Sequence, residues 1–315
     1  MGKKLCALAV LGVLLIGCLG ACGGKSNDWR AKDVQVIEDN YRTWYEIFVY
    51  SFCDSNGDGI GDLQGVVSKL DYIADMGFNG IWLMPIMPSN TYHKYDVKDY
   101  MSIAPEYGTM EDFDKLVEEC DKRGIKLIID LVLNHTSSAH PWFTEPCDYL
   151  EGLGEGEEPS ADACPYYEYY NFVKGDPSSN NWYRVGNSDY YYEGVFWSEM
   201  PDVNFESQAL REEFEEIMKF WLDKGAGGFR LDAVKEFYSG ATSKNVEVLT
   251  WVNDYVKSVK PDAYMVGEAW DGLATYAQYY ASGIDSFFDF EFEDYSGVIT
   301  KTLTYNGESN SAQAY

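Results

Sequence analysis

From Trp44 onward, short apolar runs alternate with stretches in which apolar residues recur every three to four positions. The short runs predict strands at 44–51, 80–86, 126–134, 228–234, 264–269 and 286–292. Helices are predicted at 207–224, 243–260 and 273–282. A helical period is also present at Leu63, Val66, Val67, Leu70, Ile73 and Ala74, and again at Phe113, Leu116, Val117 and Cys120.

Repeated strand–helix units predict an α/β protein with a parallel sheet, either open or closed into a (β/α)₈ barrel. The first predicted strand is not followed by a glycine-rich phosphate-binding motif, which disfavours a nucleotide-binding sheet. The pattern breaks over residues 136–200, where glycines, an acidic run and a tyrosine cluster show no helical period. Because this segment is too long for a single loop, we expect a small inserted subdomain.

Two of the predicted strands end in acidic residues. Alternation along the strand places Arg230 and Asp232 on one face, and the arginine favours the ionised form of the acid. Glu268 ends the next apolar strand in a similar way. Two carboxyl groups in unequal surroundings are the minimum needed for glycoside cleavage. Each motif taken alone also fits a structural ion pair or a surface glutamate.

A second candidate site follows the first strand, in the sequence DSNGDGIGD at 54–62. Oxygen-bearing residues recur at every second position with glycine at the sixth, as in the front half of a calcium loop. The twelfth position is Gly65 instead of a bidentate glutamate, so the loop is not an EF-hand. The predicted ligands of a Ca²⁺ ion are Asp54, Asn56, Asp58, Asp62 and the carbonyl of Ile60. The alternative is a solvated acidic turn.

The composition narrows the choice of partners. The net charge of −28 disfavours nucleic acid and anionic lipid surfaces, so a neutral substrate is the simplest fit. Aromatic residues make up 16% of the chain, and such rings serve either as stacking platforms for sugars or as core filling.

The N-terminus is predicted to lie outside the fold. Lys3 and Lys4 precede an apolar run that is short for a membrane span. The run ends in LGAC at 19–22, which resembles a bacterial lipoprotein signal that is cleaved before a lipidated Cys22. An ordinary secretory signal is the alternative. The lipoprotein interpretation implies an exported protein whose only contact with the membrane is its lipid anchor, on the outer side.

Cysteine use agrees with export. Cys147 and Cys164 lie in one loop-rich region, and a disulfide between them is expected in an oxidising compartment. Cys53 and Cys120 adjoin strand and helix patterns and are predicted to be buried thiols.

The ends of the predicted strands carry motifs that resemble those of the alpha-amylase family of glycoside hydrolases. They are DLVLNH at 130–135 for the third strand, GFRLDAVKE at 228–236 for the fourth and VGEAW at 266–270 for the fifth. MPDVN at 200–204 is similar to the motif that closes the family's inserted domain. The resemblance spans about residues 41–292. It implies a TIM (β/α)₈-type barrel with an irregular subdomain inserted after strand 3.

The resemblance also implies roles for individual residues. Asp232 would be the nucleophile, Glu268 the general acid/base, and Arg230 the group that orients Asp232. His93, Tyr95 and His135 would line the subsite of the sugar being cleaved, with Tyr95 stacked on its ring. Lys235 would reach the sugar beyond the cleavage point, or would be a solvated lysine.

Asp130 and Asn134 are expected to support the loop of the third strand and the inserted subdomain, and His140 is given no role. With the two carboxyl groups about 5–5.5 Å apart, the reaction would pass through a covalent glycosyl-enzyme and retain configuration. Glu268 would then start protonated, with a raised pKa.

The chain departs from the family at three points. The histidine of the family's other common calcium site is replaced by Glu236, and no Asn-His-Asp motif follows Ala269 to supply a third carboxylate. About six of eight strands are present, which indicates a truncated gene or a partial sequence. We expect the 315 residues alone to be poorly stable and to have little activity.

The predicted organisation is a signal peptide at 1–21, a tether at 22–39, a first part of the barrel at 40–135, the insertion at 136–200 and an incomplete second part at 201–315. The expected function is hydrolysis of α-1,4 bonds in starch or maltodextrin. An α-1,6-glucosidase, cyclomaltodextrin or transglycosylating activity stays open, because MPDVN does not separate these subgroups. A non-catalytic glucan-binding lipoprotein is the alternative of another class, although the presence of both Asp232 and Glu268 favours the enzyme.

Overall fold

The computed structural model describes residues 38–293 and 297–303. The predicted signal peptide, Cys22 and the tether up to residue 37 lie outside this part of the chain. Within it, no helix combines the length and the apolar character needed to cross a bilayer.

Nine strands of the described residues are numbered in chain order. Six form the main sheet: β1 Trp44–Ile47, β2 Gly80–Leu83, β3 Lys126–Leu131, β7 Gly228–Leu231, β8 Tyr264–Gly267 and β9 Ser286–Phe287. The other three belong to the insertion: β4 Phe172–Lys174, β5 Trp182–Arg184 and β6 Tyr190–Glu193. The main sheet has the order β1-β2-β3-β7-β8-β9, and every neighbouring pair is parallel. Such a succession of strands corresponds to most of a (β/α)₈ barrel.

Helices connect these strands. They are α1 Val49–Phe52, α2 Leu63–Ser68, α3 Leu70–Asp75, α4 Met110–Lys122, α5 Pro141–Gly152, α6 Gln208–Asp223, α7 Thr242–Val259, α8 Leu273–Tyr279, α9 Phe290–Glu293 and α10 Val298–Leu303. Short 3₁₀ turns occur at Glu38–Tyr41, Pro105–Tyr107, Pro165–Tyr169 and Tyr280–Ser282.

Helix α4 shows how local sequence defines an element. Thr109 accepts a hydrogen bond from the Asp112 N–H at 3.2 Å, and the Asp112 carboxylate accepts one from the Thr109 N–H at 2.8 Å. This reciprocal capping satisfies main-chain donors that a helix start leaves unpaired. The buried Phe113 and Leu116 keep the predicted helical period.

The strands end earlier than the apolar runs suggested. The run at 44–51 forms β1 only as far as Ile47 and then turns into helix α1, and the run at 286–292 forms the two-residue β9 before helix α9. An apolar run does not by itself separate a strand from a short helix, which explains the overlong predictions.

The insertion contains regular elements that the sequence pattern did not reveal. Helix α5 has Pro146 in its interior, and β4, β6 and β5 form a small antiparallel sheet. The two ends of the insertion are joined to each other just after β3. The Val203 N–H donates to the Asn134 carbonyl at 2.9 Å, and the Thr136 N–H donates to the Pro201 carbonyl at 3.2 Å.

The cysteine predictions need correction. Cys147 and Cys164 are free thiols, so the expected disulfide between them is not formed in this structure. Cys147 lies on helix α5, and Cys164 precedes the 3₁₀ turn that packs on this helix. Burial raises the pKa of both thiols, which keeps them protonated. Cys120 is buried as expected, whereas Cys53 is only partly buried.

Candidate active site

The two predicted catalytic acids lie side by side at one rim of the sheet. Strands β7 and β8 are parallel, with Leu231 opposite Gly267, so Asp232 and Glu268 both follow directly after their strands. The Glu268 N–H continues the ladder by donating to the Leu231 carbonyl at 2.9 Å. Carboxyl ends of parallel barrel strands are where the active sites of such folds are built.

Arg230 connects both acids. It is 4% exposed, and its Nη1 atom lies 2.6 Å from Asp232 Oδ1 while its Nη2 atom lies 2.9 Å from Glu268 Oε2. Nη1 also lies 3.0 Å from Oδ1 of Asp130, on the neighbouring strand β3. One guanidinium therefore holds carboxylates from three successive strands.

The surroundings of Glu268 raise its pKa. Burial is the largest cause, and the negative charge of Asp232 and a side-chain hydrogen bond with it act in the same direction. The Arg230 guanidinium and the Ala233 N–H oppose the shift. Burial and the neighbouring Asp232 therefore shift Glu268 toward its protonated form relative to an exposed glutamate.

The turn after β7 fixes the position of Glu268. Ala233 has φ of 47°, in the left-handed region that side chains other than glycine rarely adopt. In this conformation its N–H donates to Glu268 Oε2 at 3.1 Å, and the Val234 N–H donates to the Glu268 carbonyl at 3.0 Å. Backbone strain at this turn accompanies the placement of a reactive side chain.

Asp130 has a different place from the one expected. Sequence reasoning assigned it to loop support, but it is buried in the sheet opposite Arg230 and accepts hydrogen bonds from Tyr95 Oη at 3.1 Å and Trp82 Nε1 at 3.2 Å. The sequence contained an indication of this position. Asp130 lies inside the apolar run KLIIDL, and a charged residue buried in a strand needs a partner of opposite charge. Asn134 does support the insertion, by donating from Nδ2 to Asp202 Oδ1 at 3.0 Å.

Aromatic rings surround the Arg230 guanidinium, and two of them, Trp82 and Phe288, were not predicted to lie at the site. The guanidinium carbon lies 5.0 Å from the ring centre of Trp82, 5.7 Å from that of Tyr95 and 5.9 Å from that of Phe288. Such rings attract the cation and exclude water from its ion pairs. Glu46 on β1 is close enough to interact electrostatically with this site. Burial raises its pKa, the charge of Arg230 lowers it, and the charge of Glu268 raises it.

The predicted sugar-binding residues of the second and third strands cluster together. The Tyr95 N–H donates to His93 Nδ1 at 3.2 Å, and the two rings lie 5.9 Å apart. His135 is buried, and burial lowers its pKa to about 4, so the ring is neutral. Among the described residues, its Nε2 atom has no hydrogen-bonding partner.

Lys235 lies apart from this cluster. Its ammonium is 3.8 Å from Glu236 and 3.9 Å from Asp271, and one third of its side chain is exposed. It borders a cleft next to Glu268 that Phe196 and Trp270 also line.

The predicted calcium loop is an exposed turn of alternating oxygen donors. The Asp54 carboxylate accepts hydrogen bonds from the Gly57 and Gly59 N–H groups at 2.6 and 2.9 Å, which lower its pKa. Asp62 is buried instead, where it caps helix α2 by accepting from the Gly65 N–H at 2.6 Å.

In the described residues, no group of three or more acidic, histidine or cysteine side chains is arranged to hold a metal ion. The all-oxygen set of Asp54, Asn56, Asp58 and the Ile60 carbonyl suits a hard cation, whereas Asp62 would have to share its existing bonds. The calcium site stays a prediction.

Comparison with known proteins places this arrangement in a family. Residues 46–311 match the model of the alpha-amylase catalytic domain. The chain belongs to the alpha-amylase family. Its solved structural relatives include Amy13B of Eubacterium rectale, which is 50% identical with a TM-score of 0.83 over 90% of this chain and 55% of that chain. The alpha-amylase of H. orenii is 42% identical with a TM-score of 0.71 over 83% of this chain and 54% of that one. The predicted TIM-barrel class is thereby confirmed.

Curated relatives of this alpha-amylase family member differ in the bond named. Alpha-amylase 3 of Dictyoglomus thermophilum is 47% identical over 80% of this chain and 48% of its own length. Glucan 1,6-alpha-glucosidase of Streptococcus pneumoniae is 38% identical over 79% of this chain and 47% of its own length. The chain thus spans about half the length of these relatives.

Proposed function

We propose that this chain carries the catalytic acids of a retaining glycoside hydrolase that cleaves α-1,4 bonds in starch-type or maltodextrin α-glucans. The observation that carries the proposal is the single Arg230 guanidinium bound to both Asp232 and Glu268 at one rim of the barrel. Two carboxyl groups at one point, one ionised and one protonated, are what retaining cleavage requires.

The reaction uses both acids twice. Asp232 attacks the anomeric carbon while Glu268 protonates the departing glycosidic oxygen, which gives a glycosyl ester of Asp232 and a free sugar. Glu268, now a carboxylate, removes a proton from water, and the water oxygen displaces Asp232 from the anomeric carbon. Both steps invert the carbon, so configuration is retained overall.

The cluster of His93, Tyr95 and His135 supports a binding site for the sugar that becomes attached to Asp232. The unpartnered, neutral His135 Nε2 can exchange a hydrogen bond with a sugar hydroxyl. The Tyr95 ring, held by the bond from its hydroxyl to Asp130, offers a flat apolar surface for stacking.

The α-1,4 preference is supported by the higher identity to an alpha-amylase, 47%, than to 1,6-glucosidases, which are 38% to 44% identical. An α-1,6-glucosidase is the second candidate, because several relatives carry the name oligo-1,6-glucosidase. Parallel assays on maltoheptaose, which has α-1,4 bonds, and isomaltotriose, which has α-1,6 bonds, separate the two activities. Faster cleavage of maltoheptaose supports the α-1,4 preference, and faster cleavage of isomaltotriose contradicts it.

The proposal includes the setting of the enzyme. The N-terminal sequence supports export and lipid anchoring through Cys22 on the outer face of a bacterial membrane. The loop at 54–62 supports a structural Ca²⁺ ion held by Asp54, Asn56, Asp58 and the Ile60 carbonyl.

The acids are tested by Asp232→Asn and Glu268→Gln, with Asp254→Asn on the exposed face of helix α7 as control. Loss of the general acid costs about 10²–10⁴-fold in kcat on maltoheptaose, and loss of the nucleophile removes turnover. With α-maltosyl fluoride, whose leaving group needs no acid, Glu268→Gln should accumulate a glycosyl adduct on Asp232 detectable by peptide mass spectrometry. Turnover by Asp232→Asn at the rate of the control would refute the assignment.

A further inference from the structure

A buried lysine separates His93 from Tyr95 in the sugar-binding cluster. Lys94 is only 1% exposed, so its ammonium lies away from water in the connection between β2 and helix α4. A buried ammonium is unfavourable unless a carboxylate and other polarisable groups surround it. A lysine in this position is therefore retained at a cost to stability.

Two consecutive residues of the 3₁₀ turn at Pro105–Tyr107 hold this ammonium. It forms an ion pair with Glu106 and lies 4.8 Å from the ring centre of Tyr107. Burial raises the pKa of Glu106, but the hydrogen bond and the charge of Lys94 are among the causes that bring it below its ordinary value. Lys94 and Glu106 are twelve positions apart, so their ion pair closes a loop of the chain.

The backbone of Lys94 is as unusual as its side chain. It has φ of 64°, in the left-handed region that favours glycine. A residue with a side chain stays in this conformation only where its surroundings enforce it. The described residues contain two further cases, Ser178 in the insertion and Ala233, whose N–H is bonded to Glu268. Two of the three thus adjoin the candidate active site.

The left-handed turn at Lys94 keeps its two neighbours together. The Tyr95 N–H donates to His93 Nδ1 at 3.2 Å, and the Tyr95 hydroxyl donates to Asp130 Oδ2 at 3.1 Å. The Tyr95 ring centre also lies 5.7 Å from the guanidinium carbon of Arg230, which binds both catalytic acids. The turn therefore sends the Lys94 side chain toward Glu106 while His93 and Tyr95 stay beside the acids.

We propose that Lys94 is a positioning residue, whose ion pair with Glu106 enforces the left-handed turn that places His93 and Tyr95 against the sugar attacked by Asp232. This inference rests on the proposed function. Lys94 contacts no reacting atom and acts through its two neighbours. Its effect on the rate follows from geometry, since a shift of about 1 Å in a group that positions the substrate can cost about 10²-fold.

Two substitutions of Lys94 separate positioning from packing. Lys94→Met removes the charge but keeps most of the volume, and without the ion pair nothing enforces the turn. Its kcat/KM on maltoheptaose should fall by about 10-fold to 100-fold. Lys94→Gly removes the charge and the volume but adopts the left-handed turn freely, so it should recover most of this loss.

The stability of these variants should follow the opposite order. Lys94→Gly should unfold at a lower urea concentration than Lys94→Met, because it leaves a cavity where the buried side chain packs. A lysine with a merely structural role would make the glycine variant the worse of the two in both activity and stability.

Glu106→Gln tests the partner, because it leaves the Lys94 ammonium without its counter-charge. This variant should also lower kcat/KM, whereas adding it to Lys94→Met should have no further effect. Lys174→Met is the matched control. Lys174 likewise pairs with a glutamate, Glu158, at 2.8 Å and lies 5.7 Å from a tyrosine ring, that of Tyr190, but both side chains of this pair are exposed. Its kcat/KM should equal that of the wild-type chain.

An unchanged kcat/KM in Lys94→Met, or an equal loss in the methionine and glycine variants, overturns the positioning role while hydrolysis by the wild-type chain still supports the proposed function. If the wild-type chain does not hydrolyse maltoheptaose, the proposed function fails, and deuterium exchange of the peptide at 89–97 decides whether the ion pair holds the turn. Lys94→Met should then accelerate exchange in this peptide and Lys174→Met should not. Equal exchange in wild type and Lys94→Met overturns the inference.

Discussion

Arg230 is the residue on which the arrangement of the acids depends. It is nearly inaccessible to water, and three carboxylates contact it. Removing a buried cation leaves its partners as uncompensated charges, which is far more destabilising than losing an exposed pair.

Arg230→Met should therefore lower the free energy of unfolding by about 3–5 kcal/mol. Lys224→Met is the control, because Lys224 pairs with Asp114 where both side chains are partly exposed, and such a pair contributes about 0–1 kcal/mol. Urea unfolding of both variants measures the difference. Equal midpoints would show that the three carboxylates do not depend on the guanidinium.

His140, to which the sequence assigned no role, is the N-cap of helix α5. Its Nδ1 atom accepts a hydrogen bond from the Trp142 N–H at 3.1 Å, and its ring packs on Trp142 with centres 4.5 Å apart. Burial lowers its pKa to about 4, against the nearby charge of Asp99. The unfolded chain thus binds a proton at a higher pH than the folded chain does.

Stability should consequently be complete above about pH 6.5 and fall as the pH drops toward 4. His135 contributes in the same direction, because burial lowers its pKa to about 4 as well. His140→Asn keeps a capping acceptor but cannot take up this proton, so it should reduce the loss of stability between pH 7 and 4.5 by about 1–3 kcal/mol. Urea unfolding at both pH values checks this, and an unchanged slope would exclude His140 as a source.

At the scale of elements, the turn after β7 is the most constrained segment of the site. Ala233 adopts φ of 47°, and its N–H is bonded to Glu268. A β-branched side chain tolerates this conformation worse than alanine does, whereas glycine adopts it freely.

Ala233→Val should lower the free energy of unfolding by about 1–3 kcal/mol and lower kcat, because the turn would shift away from Glu268. Ala233→Gly relieves the backbone strain of the folded turn but makes the unfolded chain more flexible. These two effects oppose each other, so its free energy of unfolding should stay close to that of the wild-type chain. Thermal unfolding and kcat on maltoheptaose are the measurements. A valine variant indistinguishable from the glycine variant would mean that the turn is not under strain.

The loop at 54–62 gives a second prediction at this scale. If Ca²⁺ binds there, 1 mM Ca²⁺ should raise the melting temperature and a chelator should reverse the rise, since a ligand that binds only the folded state stabilises it. Asp58→Ala should abolish the response, because it removes a predicted ligand of the ion. The variant should still fold, since the Asp58 side chain is exposed and caps no helix. Asp162→Ala, in the insertion, serves as the matched acidic control. A response that survives in Asp58→Ala would place the ion elsewhere.

Sequence reasoning was effective where the physical constraint is local. Alternation alone predicted that Arg230 and Asp232 share a face, and helix α4 was evident from the period of its apolar positions. It failed where the constraint is long-range. The pairing of Asp130 with Arg230 depends on the register between β3 and β7, and the cleft depends on Phe196 of the insertion meeting Trp270 after β8. Spacing along the chain carries no information about either contact.

At the scale of the whole molecule, the main sheet has two edges. In the part of the chain that the structure describes, β1 and β9 each pair on one side only. Between them, the inner face of the sheet borders an apolar cavity of about 290 Å³ lined by Trp44, Trp82, Ile128, Tyr264, Val266, Ser286, Phe287, Phe288, Asp289 and Phe292. Unpaired edges beside apolar surface promote association between molecules.

Residues 22–315 produced alone should therefore self-associate, unfold at low denaturant concentration and hydrolyse starch weakly. Sedimentation velocity, urea unfolding and reducing-sugar release measure the three properties. A monodisperse chain with robust starch hydrolysis would contradict the prediction.

The insertion begins shortly after β3, and its two ends meet where the Val203 N–H donates to the Asn134 carbonyl. This hydrogen bond fixes the distance between the two ends of the insertion. The length and sequence of the insertion therefore do not set the geometry of the main sheet. A second bridge, between His135 and Asp202, reinforces this closure, so we expect an insertion of different size to be accommodated if the bridge is kept. Phe196 belongs to the insertion, whereas Asp232 and Glu268 follow β7 and β8, so one wall of the cleft beside Glu268 is built by a segment that does not carry the catalytic acids.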